Sequence, residues 1–142
     1  MSLALEQASK AAARGEVPIG AVIVREGKII ASAHNLTETN SDPTAHAELL
    51  AIRSACETLK TPRLVDCDLY VTLEPCPMCA QAISFARIRR LYFGAPDPKG
   101  GGVEHGPRIF SQATCHHTPE VMGGISESEC GELLRDFFKQ RR

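Results

Sequence analysis

Two β-type runs, Ile19-Gly-Ala-Val-Ile-Val24 and residues 28–33, flank a short Glu26-Gly27 turn, and beyond this hairpin helical and strand-like segments alternate. This alternation constrains the fold more than any other feature of the chain. Residues 45–59 place Leu49, Ile52, Cys56 and Leu59 on one helical stripe, with Thr44 positioned to cap it. Residues 68–73 read as a buried-type strand that Pro75 ends, and residues 78–87 as a second amphipathic helix whose first turn tolerates Pro77. A further short strand covers residues 91–94, and a weak one residues 114–122. Helices close both ends. Residues 1–14 carry Leu3, Leu5, Ala8, Ala11 and Ala12 at helical spacing and stop at Gly15, and Ser126 caps a helix through Leu133, Leu134, Phe137 and Phe138. A hairpin followed by alternating helices and strands predicts a layered α/β domain. With 142 residues, no repeat and no linker, the reading is a single domain over residues 1–142.

Composition removes several function classes. Sixteen Lys and Arg against 17 Asp and Glu exclude a simple polybasic nucleic-acid binder, so any such contact must come from a local patch. Arg87, Arg89, Arg90, Arg135, Lys139, Arg141 and Arg142 are the candidates for one positive face, although basic residues at a helix end commonly just complement its dipole. No apolar run is long enough to span a membrane, and residues 1–14 lack the apolar core of a signal peptide, so a cytoplasmic chain with reduced cysteines is expected. Of the six cysteines only Cys76 and Cys79 are closely spaced; Cys56, Cys67, Cys115 and Cys130 read as core filler. The long Gly- and Pro-rich stretch 97–112 reads as a loop of the kind that is functional or disordered.

The chemistry concentrates in two segments, His46-Ala-Glu48 and Pro75-Cys-Pro-Met-Cys79, both at helix starts. Cysteines three apart in a helical first turn lie roughly 60° apart around the axis, close enough to grip one ion. A helix N-terminus also favours thiolate over thiol. An imidazole from the other helix start completes a Cys2His set with an open fourth position, the coordination of a catalytic rather than a structural zinc. Glu48 lies about 200° around the helix from His46, which suits a proton shuttle near the bound water better than a fourth ligand.

His-x-Glu followed by Pro-Cys-x-x-Cys resembles the signature of the zinc nucleobase deaminases. The wider text is similar to one branch, the tRNA-specific adenosine deaminases, over nearly the whole chain. It comprises Glu16-Val-Pro-Ile-Gly-Ala-Val22, Asn35, Asp42-Pro-Thr-Ala-His-Ala-Glu48, Leu69-Tyr-Val-Thr-Leu-Glu-Pro-Cys-Pro-Met-Cys79, Ala86-Arg-Ile-Arg-Arg90, Phe93-Gly-Ala95, Asp97 and Asp136-Phe-Phe138. The resemblance implies a three-layer α/β/α cytidine deaminase-like fold around a mixed five-stranded sheet. It implies hydrolytic conversion of adenosine to inosine at the wobble position of a tRNA anticodon, with release of ammonia. His46, Cys76 and Cys79 would hold one Zn2+ per subunit, with water or hydroxide as fourth ligand, and Glu48 would be the general acid/base. Asn35 would meet the nucleoside; Val17, Pro18 and Ala47 would shape the base pocket; Asp97 would contact the backbone beside the target and Phe138 a flanking base. His116 stands where the family often has Asn, so its expected nucleotide contact would be made by a ring that donates to phosphate or stacks. The implied partners are a tRNA-Arg anticodon stem-loop and a second copy of the chain, through the apolar helix 78–88. Two rivals remain: a deaminase of free guanine, cytosine or a nucleotide with the same zinc site, and a zinc-stabilised RNA-binding module, in which Glu48 would have no use. The long loop 97–112 and the basic C-terminal helix favour an RNA substrate over a free base.

Overall fold

The computed structural model describes residues 1–141; Arg142, one of the seven candidate cations, lies outside them. Four helices and five strands run in the order α1 (Ser2–Ala13), β1 (Gly20–Arg25), β2 (Lys28–His34), α2 (Ala47–Leu59), β3 (Cys67–Leu73), α3 (Pro77–Ala86), β4 (Arg90–Ala95), β5 (Glu120–Met122) and α4 (Glu127–Gln140). The sheet order is β2-β1-β3-β4-β5. β1 pairs antiparallel with both β2 and β3, whereas β3, β4 and β5 are mutually parallel, as a strand–helix–strand crossover through α3 requires. Helices α1 and α4 pack on one face of this mixed sheet, α2 and α3 on the other. The layered fold expected from the sequence is therefore the one observed.

Strand alternation sorts the side chains between the two faces. Ala21, Ile23, Leu69, Val71, Leu91 and Phe93 meet Ala51, Ile52, Ala55, Ala80 and Ile83 of α2 and α3 in the main core. On the opposite face Tyr70 and Tyr92, in register on β3 and β4, stack with ring centroids 4.5 Å apart. There α1 rides close to β1 because its inner face is Ala4, Ala8 and Ala11, all fully buried. A Cβ on Gly20 would collide with the Ala4 carbonyl oxygen.

Several local expectations are corrected. α2 begins at Ala47 with His46 as its N-cap; Thr44 caps nothing, because its N–H and hydroxyl both donate to Asp42 Oδ1, at 2.8 and 2.7 Å. The buried face of α2 is Ala47, Glu48, Ala51, Ile52 and Ala55, and Leu49, Cys56 and Leu59 sit half-buried at its flank. Small residues win because they let the helix approach the sheet. The strand at 114–122 shrinks to β5: His117 N–H donates to Ser84 Oγ (3.3 Å) and its Nε2 lies 2.7 Å from the Ile88 carbonyl, which ties that segment to the end of α3 instead of to β4. Ser126 precedes α4 in a left-handed conformation (φ 53) without a side-chain cap; Glu127 and Glu129 supply negative charge to the first turn instead. Of the adjacent pair on α4, Phe137 is buried and Phe138 is 49% exposed. Loop 97–112 is ordered, with Gly101, Gly102 and Val103 buried and a single 3-10 turn at Ile109–Ser111. Among the described residues no helix is long and apolar enough to cross a membrane.

Candidate active site

β3 delivers the chain to Glu74-Pro75, and three residues separate the strand end from the start of α3. Cys76 is the extended N-cap of α3 (φ -69, ψ 170), Pro77 occupies the first helical position, where its missing N–H costs nothing, and Cys79 follows in the first turn. His46 is likewise an extended N-cap (φ -76, ψ 148), so backbone geometry rather than helical phase sets its ring relative to Glu48. The packing of α2 against α3 brings the two helix starts together.

His46 Nδ1 lies 3.6 Å from Cys76 Sγ and 3.5 Å from Cys79 Sγ. All three donor atoms fall within 4.8 Å of one another, and no carboxylate joins the group. An ion at about 2.3 Å from sulfur and about 2.05 Å from nitrogen, with tetrahedral angles, requires an N···S edge of about 3.6 Å. The separation present is thus the one a tetrahedral thiolate–imidazole site needs. Cys79 is fully buried while Cys76 and His46 are half-buried, so the group is open on one side only.

The electrostatics point the same way. The hydrogen bond from the Cys79 thiol, supported by His46, pulls the Cys76 thiol down to about 4 against the opposing effect of burial. The same sulfur contact, with burial, pushes the Cys79 thiol far up. His46 is held above its ordinary value by its contact with Cys76. A divalent cation bound by all three donors would displace their protons and neutralise the two thiolates. Glu48, 4% exposed, has its carboxyl in hydrogen-bond contact with Cys79 of the group. Burial pushes its carboxyl up to about 7, and the Cys76 charge adds to the rise.

The other expected site residues fall into two sets. Asn35, Val17 and Pro18 share the strip beside His46: Asn35 N–H donates to the Ile19 carbonyl (3.1 Å), and the next amide, of Leu36, to the carbonyl of Ala45 (3.0 Å). Asn35 is 5% exposed and its Oδ1 is buried without a hydrogen-bond partner, an acceptor left for something outside the chain. Ala47, fully buried, opens α2 between His46 and Glu48. Asp97 Oδ1 accepts from Lys99 and Gly100 N–H at 3.2 and 3.0 Å, so part of its carboxylate organises its own turn. Phe138 lines a groove of about 860 Å³ with Lys99, Leu134, Arg135, Lys139 and Arg141, bordering that turn. His116 is exposed on the segment anchored to Ser84 and Ile88, roughly 12 Å along α3 from Cys76 by helical rise.

Among the described residues the candidate cations do not form one face. Arg89 is paired in a bidentate contact with Asp68 (3.0 and 3.1 Å), and Arg90 with Glu120 (3.2 Å), at the start of β4. Arg135, Lys139 and Arg141 instead join Lys99 near its far end, roughly 16 Å away along the strand. Two buried carboxylates were given no role of their own by the sequence reading. Glu16 accepts from Glu38 N–H (3.1 Å) and from the N–H and hydroxyl of Thr39 (both 2.6 Å), pinning the loop after Asn35. Glu74 holds the loop that begins at Asp97. For Glu74 the available signal was a charged residue directly after the apolar run of β3, where Pro75 ends the strand.

Known proteins resemble the chain throughout. The sequence profile of the MafB19-like deaminases matches residues 1–142. A tRNA-specific adenosine deaminase of Agrobacterium fabrum is 61% identical over all of this chain and 93% of its own length, and one of Bacillus subtilis is 49% identical over all of this chain and 88% of its own. A solved structure from work on A-to-I editing by tRNA A34 deaminases at the wobble position superimposes with a TM-score of 0.93 at 62% identity, covering 94% of this chain and 97% of that one. Taken with the fold and the His46, Cys76 and Cys79 group, these matches place the chain in the MafB19-like deaminase family, among the tRNA-specific adenosine deaminases.

Proposed function

We propose that this chain converts adenosine to inosine at the wobble position of a tRNA anticodon by hydrolysis, with Zn2+ held by His46 Nδ1, Cys76 Sγ and Cys79 Sγ. The observation that carries the reading is the tetrahedral N···S spacing of those donors, 3.5 and 3.6 Å, beside the buried carboxyl of Glu48. Zinc bound there would act as a Lewis acid that brings the pKa of a water from 15.7 toward about 7.

The chain's own groups account for the rest. Glu48 takes the proton of the attacking water and delivers it to N1 of the adenine as oxygen bonds to C6. It then carries the proton of the new C6 hydroxyl to the amino group, so that the C–N bond breaks, ammonia leaves and the carbonyl of inosine remains. A carboxyl raised to about 7 by burial exchanges protons in both directions near neutral pH, which such a shuttle needs. Asn35 Oδ1 accepts a hydrogen bond from the nucleoside, and Val17, Pro18 and the Ala47 backbone bound the base. Asp97 and Phe138 flank the extruded nucleotide, with Lys99, Arg135, Lys139 and Arg141 facing phosphates. His116, remote from Cys76 within one chain, meets RNA only at the periphery. Phe85, 69% exposed, and Met78, 36% exposed, leave an apolar outer face on α3 that suits a homodimer contact. A tRNA-Arg substrate and a cytoplasmic location accompany this reading.

The test offers the purified protein, with one equivalent of zinc, a tRNA-Arg anticodon stem-loop bearing A at the wobble position and, in parallel, free bases and nucleosides. Inosine in the stem-loop alone is the expected result. Ammonia from a free base with the RNA untouched would keep the zinc chemistry and discard the tRNA substrate.

A further inference from the structure

Glu74 takes no part in the chemistry above, yet its side chain is completely buried and almost fully committed. Its Oε1 accepts from Asp97 N–H (3.0 Å) and lies 2.7 Å from His105 Nδ1. Its Oε2 accepts from three successive amides, Val103 (3.2 Å), Glu104 (3.0 Å) and His105 (3.1 Å). Four backbone donors and a ring nitrogen, spread over residues 97–105, thus converge on one carboxylate. The same loop is stitched to the metal-ligand turn, because Gly102 N–H donates to the Pro75 carbonyl (2.8 Å) and Ile109 N–H to the Gly102 carbonyl (2.8 Å). Gly101 lies so close that a Cβ there would collide with Glu74 Oε2 and stand 2.5 Å from the Asp97 carbonyl oxygen.

We infer that Glu74 is a positioning residue that folds loop 97–105 around its carboxylate, and so fixes Asp97 and Lys99, the RNA-facing end of the loop, relative to the catalytic centre. The physical case rests on local backbone demand. A loop rich in glycine has high conformational entropy and offers few side chains of its own to order it. Its amides need buried acceptors, and a carboxylate is the strongest available. Glu74 directly precedes Pro75-Cys76, so the anchor of the RNA-facing loop and the first cysteine ligand belong to one three-residue connection between β3 and α3. Loop and catalytic centre therefore share a single reference point. This inference rests on the proposed RNA substrate for its functional readout, but its structural part stands alone.

Two variants test it from opposite sides of the contact. Glu74→Gln keeps one oxygen acceptor and turns an NH2 toward amides that need an acceptor; Gly101→Ala wedges the loop away without altering Glu74 or either cysteine. Amide hydrogen exchange on the zinc-loaded protein should show Asp97, Val103, Glu104 and His105 losing protection while β3 and β4 keep theirs. Kinetics on the stem-loop should show KM raised about tenfold or more, with kcat within a few-fold and zinc content still one per chain. A variant with all four amides still protected, or with KM unchanged while kcat or zinc content falls, would overturn the inference. If Glu74→Gln does not fold, Gly101→Ala decides by the same readouts. Wild-type protein inactive on the stem-loop would refute the proposed substrate while leaving the exchange result to decide whether Glu74 orders the loop.

Discussion

Glu48→Gln should stabilise the metal-free protein while abolishing most of its turnover, and the pH dependence of the gain can be worked out beforehand. Burial raises the carboxyl from its ordinary 4.5 to about 7 in the folded chain. Below pH 4.5 the group is protonated in both folded and unfolded states, so it contributes no difference. Between 4.5 and about 7 the folded state holds a proton that the unfolded state has released, and stability falls as pH rises. Above 7 both states are ionised and the folded state bears the full cost, about 3 kcal/mol for the rise from 4.5 to about 7. Gln is nearly isosteric and carries no charge. Thermal unfolding of chelator-treated wild type and variant across pH 4.5 to 8 should therefore show nearly equal midpoints at the acid end and a variant advantage growing to roughly 10 °C at pH 8. With zinc restored, kcat on the stem-loop should drop about 10²- to 10⁴-fold, the contribution of a positioned acid/base, with metal content unchanged. Equal midpoints at every pH, or an advantage largest at acid pH, would refute the buried-carboxyl reasoning; full turnover in Glu48→Gln would refute the shuttle.

Three other outcomes follow from the same geometry. Cys79→Ala removes a fully buried ligand, so metal analysis should fall from one zinc per chain to near zero, with activity lost alongside. Glu16 is held below its ordinary carboxyl range: burial pushes up, but the Thr39 and Glu38 donors outweigh it. Its stabilising contribution is present above pH 4.5 and lost as pH falls further, so Glu16→Ala should cost about 1–3 kcal/mol at pH 7, by chemical denaturation, and distinctly less in acid. Replacing both Arg135 and Lys139, which line the groove beside Phe138, by Ala should weaken RNA binding and flatten the plot of log affinity against log salt by about 1.4. An unchanged slope would remove the groove from the RNA interface.

Much of the architecture is legible locally. The apolar runs of β1, β3 and β4, the turn at Glu26-Gly27 and the proline after Cys76 are read from neighbours in sequence, because strand alternation and φ restriction act within a few residues. The metal group is legible for a similar reason: a Cys-x-x-Cys pair in one helical turn fixes its own spacing, and only His46 had to come from elsewhere. Where sequence signals misled, a competing contact, near or far in sequence, had overruled them. Thr44 prefers Asp42 to the helix end, the segment before β5 bonds to α3, and the alanine face of α2, not its leucine stripe, meets the sheet.

The sequence by itself determined the layered α/β class, the identity of the three side chains that could hold a metal and the presence of a carboxyl close to them. Only the tertiary structure showed which buried carboxylates are engaged by loop amides. Glu16, Glu48 and Glu74 are all buried, and composition does not distinguish them. Glu48 has its pKa raised because desolvation dominates at its site, whereas backbone amides folded back from residues 38–39 and 97–105 hold Glu16 and Glu74 ionised. The charges also separated only in three dimensions, Arg89 and Arg90 into ion pairs at one end of β4 and Lys99, Arg135, Lys139 and Arg141 into the groove at the other. Hydrogen-bond donors and counter-charges that arrive from distant parts of the chain set those roles, and no local pattern encodes their arrival.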